Sequence, residues 1–544
     1  MDAYDYIIVG AGSAGCVLAN RLTEDPACRV LLLEAGGKDT NPMIHIPVGY
    51  SRTLKDPSVN WLFETEADPT SGDRVHTWPR GKVLGGSSSI NGLLYIRGQS
   101  ADYDGWGQLG LTGWTWDKVH PYFVRAQHQE RGGLEGHGSG GPLNVSDVTE
   151  THPVSDAVVE AGVQAGIPRN DDLNSGEQEG ITYYQLTVKN GRRCSAAVAY
   201  LNPVKSRKNL TIATKAQATR IIIRGKRAMG VEYRQGGEVK TARADREVIL
   251  SGGAVNSPQM LELSGIGQPE LLKENGIEVV SALPGVGENL QDHYMVGMQW
   301  RMRPGAPSVN SLSRGFAMVR EVMKYATQRK GLLTLSAAHI AAFIKTRPEL
   351  ASPDVQYHIL PGTIDFEKMA ASGAMDFEKE PGLTMAPCQL RPESRGSIHI
   401  KASDPIAYPS IRPNYLADPL DQQTIVAGLR WARKIAAQDA LKPYVTEEIM
   451  PGAAVDSDEE LLAFARETGS TLYHPVGTCK MAVDSDPNGV VDARLRVRGV
   501  DGLRVVDASV MPRLISGNTN APTIMIAERA SDMIREDAKM ARAA

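Results

Sequence analysis

The sequence predicts an α/β protein in which a Rossmann-type dinucleotide-binding domain is interleaved with an α+β domain built on an antiparallel sheet. Three observations carry this prediction. The chain opens with a strand, a glycine-rich turn and a helix, all within its first 22 residues. Short apolar runs that read as buried strands recur far apart, at 29–33, 247–251 and 503–506. Between them the texture changes: residues 397–401 alternate and the prolines that follow punctuate the chain, whereas 421–440 has a helical period through Ile425, Leu429, Ala432 and Ile435. A chain of 544 residues is also too long for one simple core. The expected division gives 1–150, 195–295 and 468–544 to the nucleotide domain, and 151–194 and 296–467 to the second domain.

The first element is the β-branched run Tyr4-Asp5-Tyr6-Ile7-Ile8-Val9. Gly10-Ala11-Gly12-Ser13-Ala14-Gly15 follows at once, and Cys16 to Leu22 reads as helix. A second buried strand, 29–33, ends at Glu34. In this setting the G-x-G-x-x-G turn is a dinucleotide site. Gly10 permits the tight turn, Gly12 lets backbone approach a pyrophosphate, and Gly15 lets the helix pack on the sheet. The phosphates lie at the helix N-terminus, and Glu34 accepts hydrogen bonds from the ribose. The motif does not by itself separate NAD from FAD.

Residues 79–92 are rich in glycine and serine yet sit among apolar residues, which suits a segment folded closely round a ligand. The strand 247–251 leads into Gly252-Gly253-Ala254-Val255-Asn256-Ser257-Pro258. Near the C-terminus come Tyr473-His474-Pro475-Val476-Gly477-Thr478, a strand ending at Asp507, and Ser516-Gly517-Asn518-Thr519-Asn520-Ala521-Pro522-Thr523. Pro475 biases His474 towards an extended backbone. The last segment carries two asparagines into a helix start marked by Pro522. A base candidate, an amide and the positive end of a helix are thereby offered to one place. Taken alone, a histidine before proline such as His474 is more often a packed structural residue, and Asn518 also reads as a turn residue.

Net charge of −4 gives no reason to expect nucleic acid or an anionic membrane as a partner, and 42% hydrophobic with 22% charged residues is ordinary for a globular protein. The five cysteines are scattered without a C-x-x-C, so neither a disulfide framework nor a metal site is expected. No apolar run approaches the ~20 residues that span a bilayer, and Met1-Asp2 passes directly into a strand without a leader-like segment. A cytoplasmic location is expected.

Residues 82–91 and 253–267 resemble the two signature patterns of the glucose–methanol–choline (GMC) oxidoreductases. The His474-Pro475-Val476-Gly477-Thr478 segment and residues 517–523 resemble that family's catalytic segments. The resemblance runs from Tyr4 to about Ile534, and within the family it is strongest to bacterial choline and medium-chain alkanol dehydrogenases. It implies FAD, the two-domain GMC fold, and oxidation of an alcohol by hydride transfer to flavin N5. By position it assigns Gly10, Gly12, Ser13, Ala14, Glu34 and Ala35 to the ADP part. Val83, Gly86, Asn91, Gly92, Leu93 and Leu94 go to the flavin side, Ala218 to a backbone contact with adenine, and Asp507 and Ala508 to the ribityl chain and pyrimidine. Asn520 reads as helix cap or flavin contact. His474 is implied as the base and Asn518 as its partner.

Some relatives hold FAD covalently through a histidine where this chain has Ile90, so non-covalent FAD is implied. As an imidazole, His474 is expected to titrate between about pH 5 and 8. His293 reads as structural and Cys479 as packing. A small primary aliphatic alcohol as substrate and a quinone-type acceptor are the implied partners, with peripheral membrane contact arising through the acceptor. The alternatives are an oxidase that reduces O2 to H2O2, a choline dehydrogenase, and a lyase that keeps FAD without redox chemistry and cleaves cyanohydrins. An NAD-dependent Rossmann enzyme is disfavoured by the 82–91 and 253–267 segments.

Overall fold

The computed structural model describes residues 2–133, 135–364 and 377–543. The elements that position the site begin with β1 (Asp2–Val9), α1 (Ser13–Leu22), β2 (Val30–Leu33), β3 (Gly180–Tyr183), β4 (Leu210–Ala213), β5 (Ala216–Arg224), β6 (Arg227–Gln235), β7 (Glu238–Leu250) and α2 (Gly253–Leu263). They continue with β8 (Tyr294–Met295), β9 (Met298–Met302), α3 (Gly315–Gln328), β10 (Ile340–Ile344), β11 (Val355–Leu360) and β12 (Gly382–Gln389). The last are α4 (Pro419–Ala436), β13 (Val445–Met450), β14 (Ser470–Thr471), β15 (Leu503–Val505) and α5 (Asn520–Ala543).

The first sheet has seven strands in the order β4-β2-β1-β7-β6-β5, with β15 also paired to β7. β4, β2, β1, β7 and β15 are mutually parallel. Towards their carboxyl ends, residues 6–9 of β1, 30–33 of β2, 248–250 of β7 and 503–505 of β15 are buried and, apart from Arg504, apolar, as a parallel sheet covered by helices requires. Register aligns their ends: Val9 faces Leu33 and Leu250, Leu33 faces Ala213, and Leu250 faces Val505. Gly10, Glu34, Ser251 and the segment after Val505 therefore emerge together at the carboxyl edge, where open α/β sheets bind ligands.

The second sheet is antiparallel, in the order β13-β9-β12-β11-β10-β3, and β8 joins it by pairing with β12 and β14. α4 lies on one face, with Ile425, Leu429, Ala432 and Ile435 fully buried in one core with Val355, Tyr357 and Met385. The alternation expected around 397–412 forms only a two-stranded hairpin, Ser397–His399 with Ser410–Arg412. The large sheet instead comes mostly from 294–389. Because β8 and β14 belong to it, we infer that the chain crosses between domains before Tyr294 and after Thr471, a few residues from the boundaries expected at 295 and 468. α3 stands beside the second sheet as a helix of 14 residues. No helix of the described residues is long and apolar enough to cross a membrane.

Candidate active site

A single cavity of about 420 Å³ runs from the glycine loop at the edge of the parallel sheet to His474 and Asn518 beside the antiparallel sheet. At the first end Gly10 has φ +103°, and a Cβ there would lie 2.4 Å from the carbonyl oxygen of Ser251. Only glycine fits both the turn and the approach. The Gly12 and Gly86 backbones meet across the cavity, where a Cβ on Gly86 would be 2.6 Å from the Gly12 Cα. α1 starts after Gly12 with no side-chain cap and no acidic residue in its first turn. Its leading N–H groups are left for an anion.

Glu34 accepts hydrogen bonds from the N–H groups of Ala11 (2.9 Å) and Gly36 (2.8 Å). Burial nevertheless pushes its carboxyl up to about 7. An uncapped helix start, a glycine cradle and a buried carboxylate are the donor and acceptor set that a pyrophosphate and ribose need, so the residues present fit FAD.

Most of the expected cofactor residues line the cavity: Gly10, Gly12, Ser13, Ala14, Glu34, Ala35, Gly86, Asn91, Gly92, Leu93, Leu94, Ala218, Asp507, Ala508 and Asn520. Two do not. Gly15 stands behind the wall, where a Cβ would sit 1.9 Å from the Gly10 carbonyl oxygen, which is helix-on-strand packing. Val83 is fully buried in a small cluster with Ile44, Val59 and Ile90. Asp507 braces the wall, since its carboxylate accepts from the Gly253 N–H (2.9 Å), the Ser257 hydroxyl (2.6 Å) and both the N–H and hydroxyl of Ser509 (2.8 and 2.5 Å). Asn520 opens α5, and its side-chain oxygen accepts from the Ser13 hydroxyl at 2.7 Å, which joins the glycine loop to the C-terminal helix.

At the other end His474 is buried and its backbone is fixed: the N–H donates to Asp292 at 2.8 Å. Tyr473 before it has φ +67°, an uncommon conformation for a non-glycine residue. The Thr471 hydroxyl (2.7 Å) and Arg80 (2.6 Å, to the carbonyl) hold it there. Gly517, at φ +142° and with its Cβ position 2.4 Å from Ile96, brings Asn518 to the same place.

The side chains form one directed chain of hydrogen bonds. His293 Nε2 lies 3.1 Å from the Leu390 carbonyl, which only accepts, so that nitrogen carries the proton. Burial pushes His293 down to about 4, so its ring is neutral and its Nδ1 is bare. His474 Nδ1, 3.0 Å from that atom, must be the donor. The tautomer of His474 inferred from these partners leaves Nε2 as an acceptor, and the Asn518 amide donates to it at 3.2 Å. Asn518 is oriented in turn by Gln356, whose amide donates to Asn518 Oδ1 (3.2 Å) and to the Tyr184 hydroxyl (2.8 Å). The Tyr184 hydroxyl donates in turn to the Tyr357 carbonyl at 3.0 Å.

Burial, reinforced by His293, His358 and Arg80, holds His474 well below the ordinary imidazole value. The titration expected between about pH 5 and 8 is thereby displaced downward from the ordinary imidazole value, because the sequence shows no burial. His293, expected to be structural, is in direct contact with His474. Nothing in the sequence marks Gln356 and His358, because β11 is buried along its whole length and has no readable period. His358 lines the cavity, stacks on Tyr184 at 5.7 Å, and has no hydrogen-bond partner at either ring nitrogen among the described residues.

The GMC oxidoreductase N-terminal model matches residues 4–295 and the C-terminal model residues 392–527. An alcohol dehydrogenase (acceptor) of Pseudomonas putida is 45% identical, over 99% of this chain and 97% of its own. The mitochondrial choline dehydrogenase of Homo sapiens is 43% identical over 98% and 90%. Among solved structures, pyridoxine 4-oxidase from Mesorbium loti superposes with a TM-score of 0.88 at 32% identity, covering 98% of this chain and 99% of that one. Matched in both halves and along almost its whole length, the chain belongs to the GMC oxidoreductases, FAD flavoproteins that act on CH–OH groups.

Proposed function

We propose that the protein oxidises a small, uncharged primary aliphatic alcohol to its aldehyde, with His474 as base, FAD held non-covalently, and a quinone-type compound as electron acceptor. The observation that carries the reading is the hydrogen-bond chain that leaves His474 Nε2 an unprotonated acceptor. FAD, when bound, supplies the acceptor for two electrons and the hydrogen of the alcohol carbon. The cavity residues from Gly10 to Glu34 would hold its ADP part, and Asn91, Asp507, Ala508 and Asn520 its flavin part.

The chain's own residues handle the proton and the geometry. The alcohol hydroxyl takes the place of the Asn518 amide at His474 Nε2 and gives its proton there. Asn518, held by Gln356, then donates to the alcohol oxygen and aims its carbon. The Nδ1–H of His474 continues to donate to His293, which keeps the ring from turning. His358 offers a further polar contact to the ligand. The start of α5 places partial positive charge at the cavity wall, where negative charge develops on the cofactor.

The substrate class rests on the lining beside His474. Among the described residues it is mostly apolar (Met295, Ala337, Leu360, Ile364, Phe377), its charged side chain near His474 is the cation Arg80, and the cavity's two carboxylates, Glu34 and Asp507, are both engaged in internal hydrogen bonds. A quaternary ammonium needs a free carboxylate or an aromatic cage. The similarity to the human choline dehydrogenase favours choline as a second reading, and the name of the Pseudomonas putida relative supports an acceptor other than O2. An anaerobic screen of alkanols and choline, read as flavin bleaching, separates the two substrates. Replacing His474 by Ala should slow flavin reduction by about 10²–10⁴-fold while FAD stays bound. Reduction within a few-fold of wild type would refute the assignment of the base.

A further inference from the structure

Four large apolar side chains project into solvent from one helix, α3: Phe316 is 85% exposed, and Val319, Val322 and Met323 are 55%, 42% and 58% exposed. Phe316, Val319 and Met323 fall three and four residues apart, on one face. The opposite face is apolar too: Met318 and Tyr325 pack into a cluster with Leu360 and Phe377, both of which line the active-site cavity. The helix thus stands at the substrate end of the cavity with a second apolar stripe turned outward.

The charges around that stripe have one sign. Residues 314–330 carry five basic residues and one acidic one. The acidic residue, Glu321, is buried and accepts the Leu332 N–H at 2.8 Å. Lys324 is paired with Glu150 at 2.5 Å, but Arg320 and Lys330 are exposed and form no ion pair among the described residues. An exposed apolar stripe bordered by free cations matches a surface that is apolar beneath and anionic on top, which is a lipid bilayer bearing acidic headgroups. A second copy of this chain would bring the same cations face to face.

We propose that α3 is an interfacial anchor that docks the protein on an anionic lipid surface, with Phe316, Val319 and Met323 at the headgroup boundary and Arg320 and Lys330 against the phosphates. The cavity's substrate end is then held close to the bilayer, where lipophilic alcohols and acceptors concentrate. The test is co-sedimentation of the holoenzyme with vesicles of phosphatidylcholine, with and without phosphatidylglycerol, so docking is read independently of the enzyme's activity. Wild type should sediment with the anionic vesicles and weakly with the neutral ones. Phe316→Asp with Met323→Asp should remain in the supernatant. Arg320→Gln with Lys330→Gln should bind anionic vesicles about fivefold more weakly for each charge removed. Both variants should keep their yellow colour and their reduction rate with a soluble alcohol. The proposal is overturned if wild type ignores anionic vesicles, if the doubly acidic variant sediments as wild type does, or if that variant converts a dimer to a monomer by light scattering.

Discussion

His474 can act as a base only while Nε2 is unprotonated, and two neighbours and burial enforce this. His293 accepts a hydrogen bond from the Nδ1–H, the Asn518 amide donates to Nε2, and burial disfavours the imidazolium. A group whose pKa is lowered in the folded protein stays unprotonated above that lowered value and is lost as base when pH falls through it. The rate of flavin reduction should therefore be flat from pH 8 down through 6.5, the ordinary imidazole value, with its acid limb below. An acid limb centred at or above 6.5 would contradict this arrangement. Asn518→Ala should cost less than His474→Ala, because it removes orientation but not the proton acceptor. His293→Phe leaves His474 Nδ1 without its acceptor and frees the other tautomer. A loss on the order of 10²-fold is expected, of the size that misplacing a reactive group produces, with the acid limb displaced from that of wild type. A purely structural role for His293 would change stability and leave the limb in place. Of these residues, the sequence made His474 and Asn518 legible, because each sits in a short motif with its own proline or glycine. His293, Gln356 and His358 were not, since each is brought in from a separate strand or strand end and only tertiary contact gives it meaning.

At the level of elements, α2 of the parallel sheet and the Ser397–His399 hairpin strand are tied by one imidazole. His399 lies 2.7 Å from Glu262 and 3.1 Å from Glu288. Burial alone would lower its pKa, but the hydrogen bonds to the two carboxylates outweigh that and raise it to about 9. The partners differ: burial pushes Glu262 up despite the imidazolium, whereas the His399 hydrogen bond holds Glu288 down. A raised pKa stabilises the fold fully below the unfolded value of about 6.5, and the benefit disappears as pH rises through 9. The melting temperature of wild type should exceed that of His399→Gln most at pH 6 and converge with it above pH 9. Equal differences at pH 6 and pH 10 would show that His399 is uncharged in the fold. Other elements were unequally legible for a physical reason. β1, α1 and β2 follow one another and carry local turn chemistry, and α4 has a clear helical period. β10 and β11 are buried on both faces and mix alanine, glutamine and histidine into the core, so neither period nor polarity marks them as strands.

Across the whole molecule, the cavity joins pieces of chain about 500 residues apart. The glycine loop meets the start of α5 through Ser13 and Asn520, and α1 meets α5 again where Arg21 pairs with buried Glu528 at 2.8 Å. FAD seated between them would bridge both ends and the 82–94 and 507–520 segments, so it should stabilise the fold as a ligand that binds only the native state. The contact is expected to be reversible. Ile90 lines the cavity and is 2% exposed, and a hydrocarbon side chain there cannot form the bond a histidine would. Acid precipitation should therefore leave the yellow colour in the supernatant. Protein stripped of flavin under mild conditions should melt at a lower temperature, and FAD should restore the loss in proportion to the logarithm of its concentration, by about 2.7 kcal/mol at one hundred times the Kd. Colour that remains with the pellet would show covalent attachment through another side chain. A melting temperature unmoved by FAD would show that the two chain ends hold each other without it. His474→Ala should give the wild-type FAD titration, because the pyrophosphate cradle and the base lie at opposite ends of the cavity. A weakened titration would mean that the histidine supports the cofactor as well as the proton.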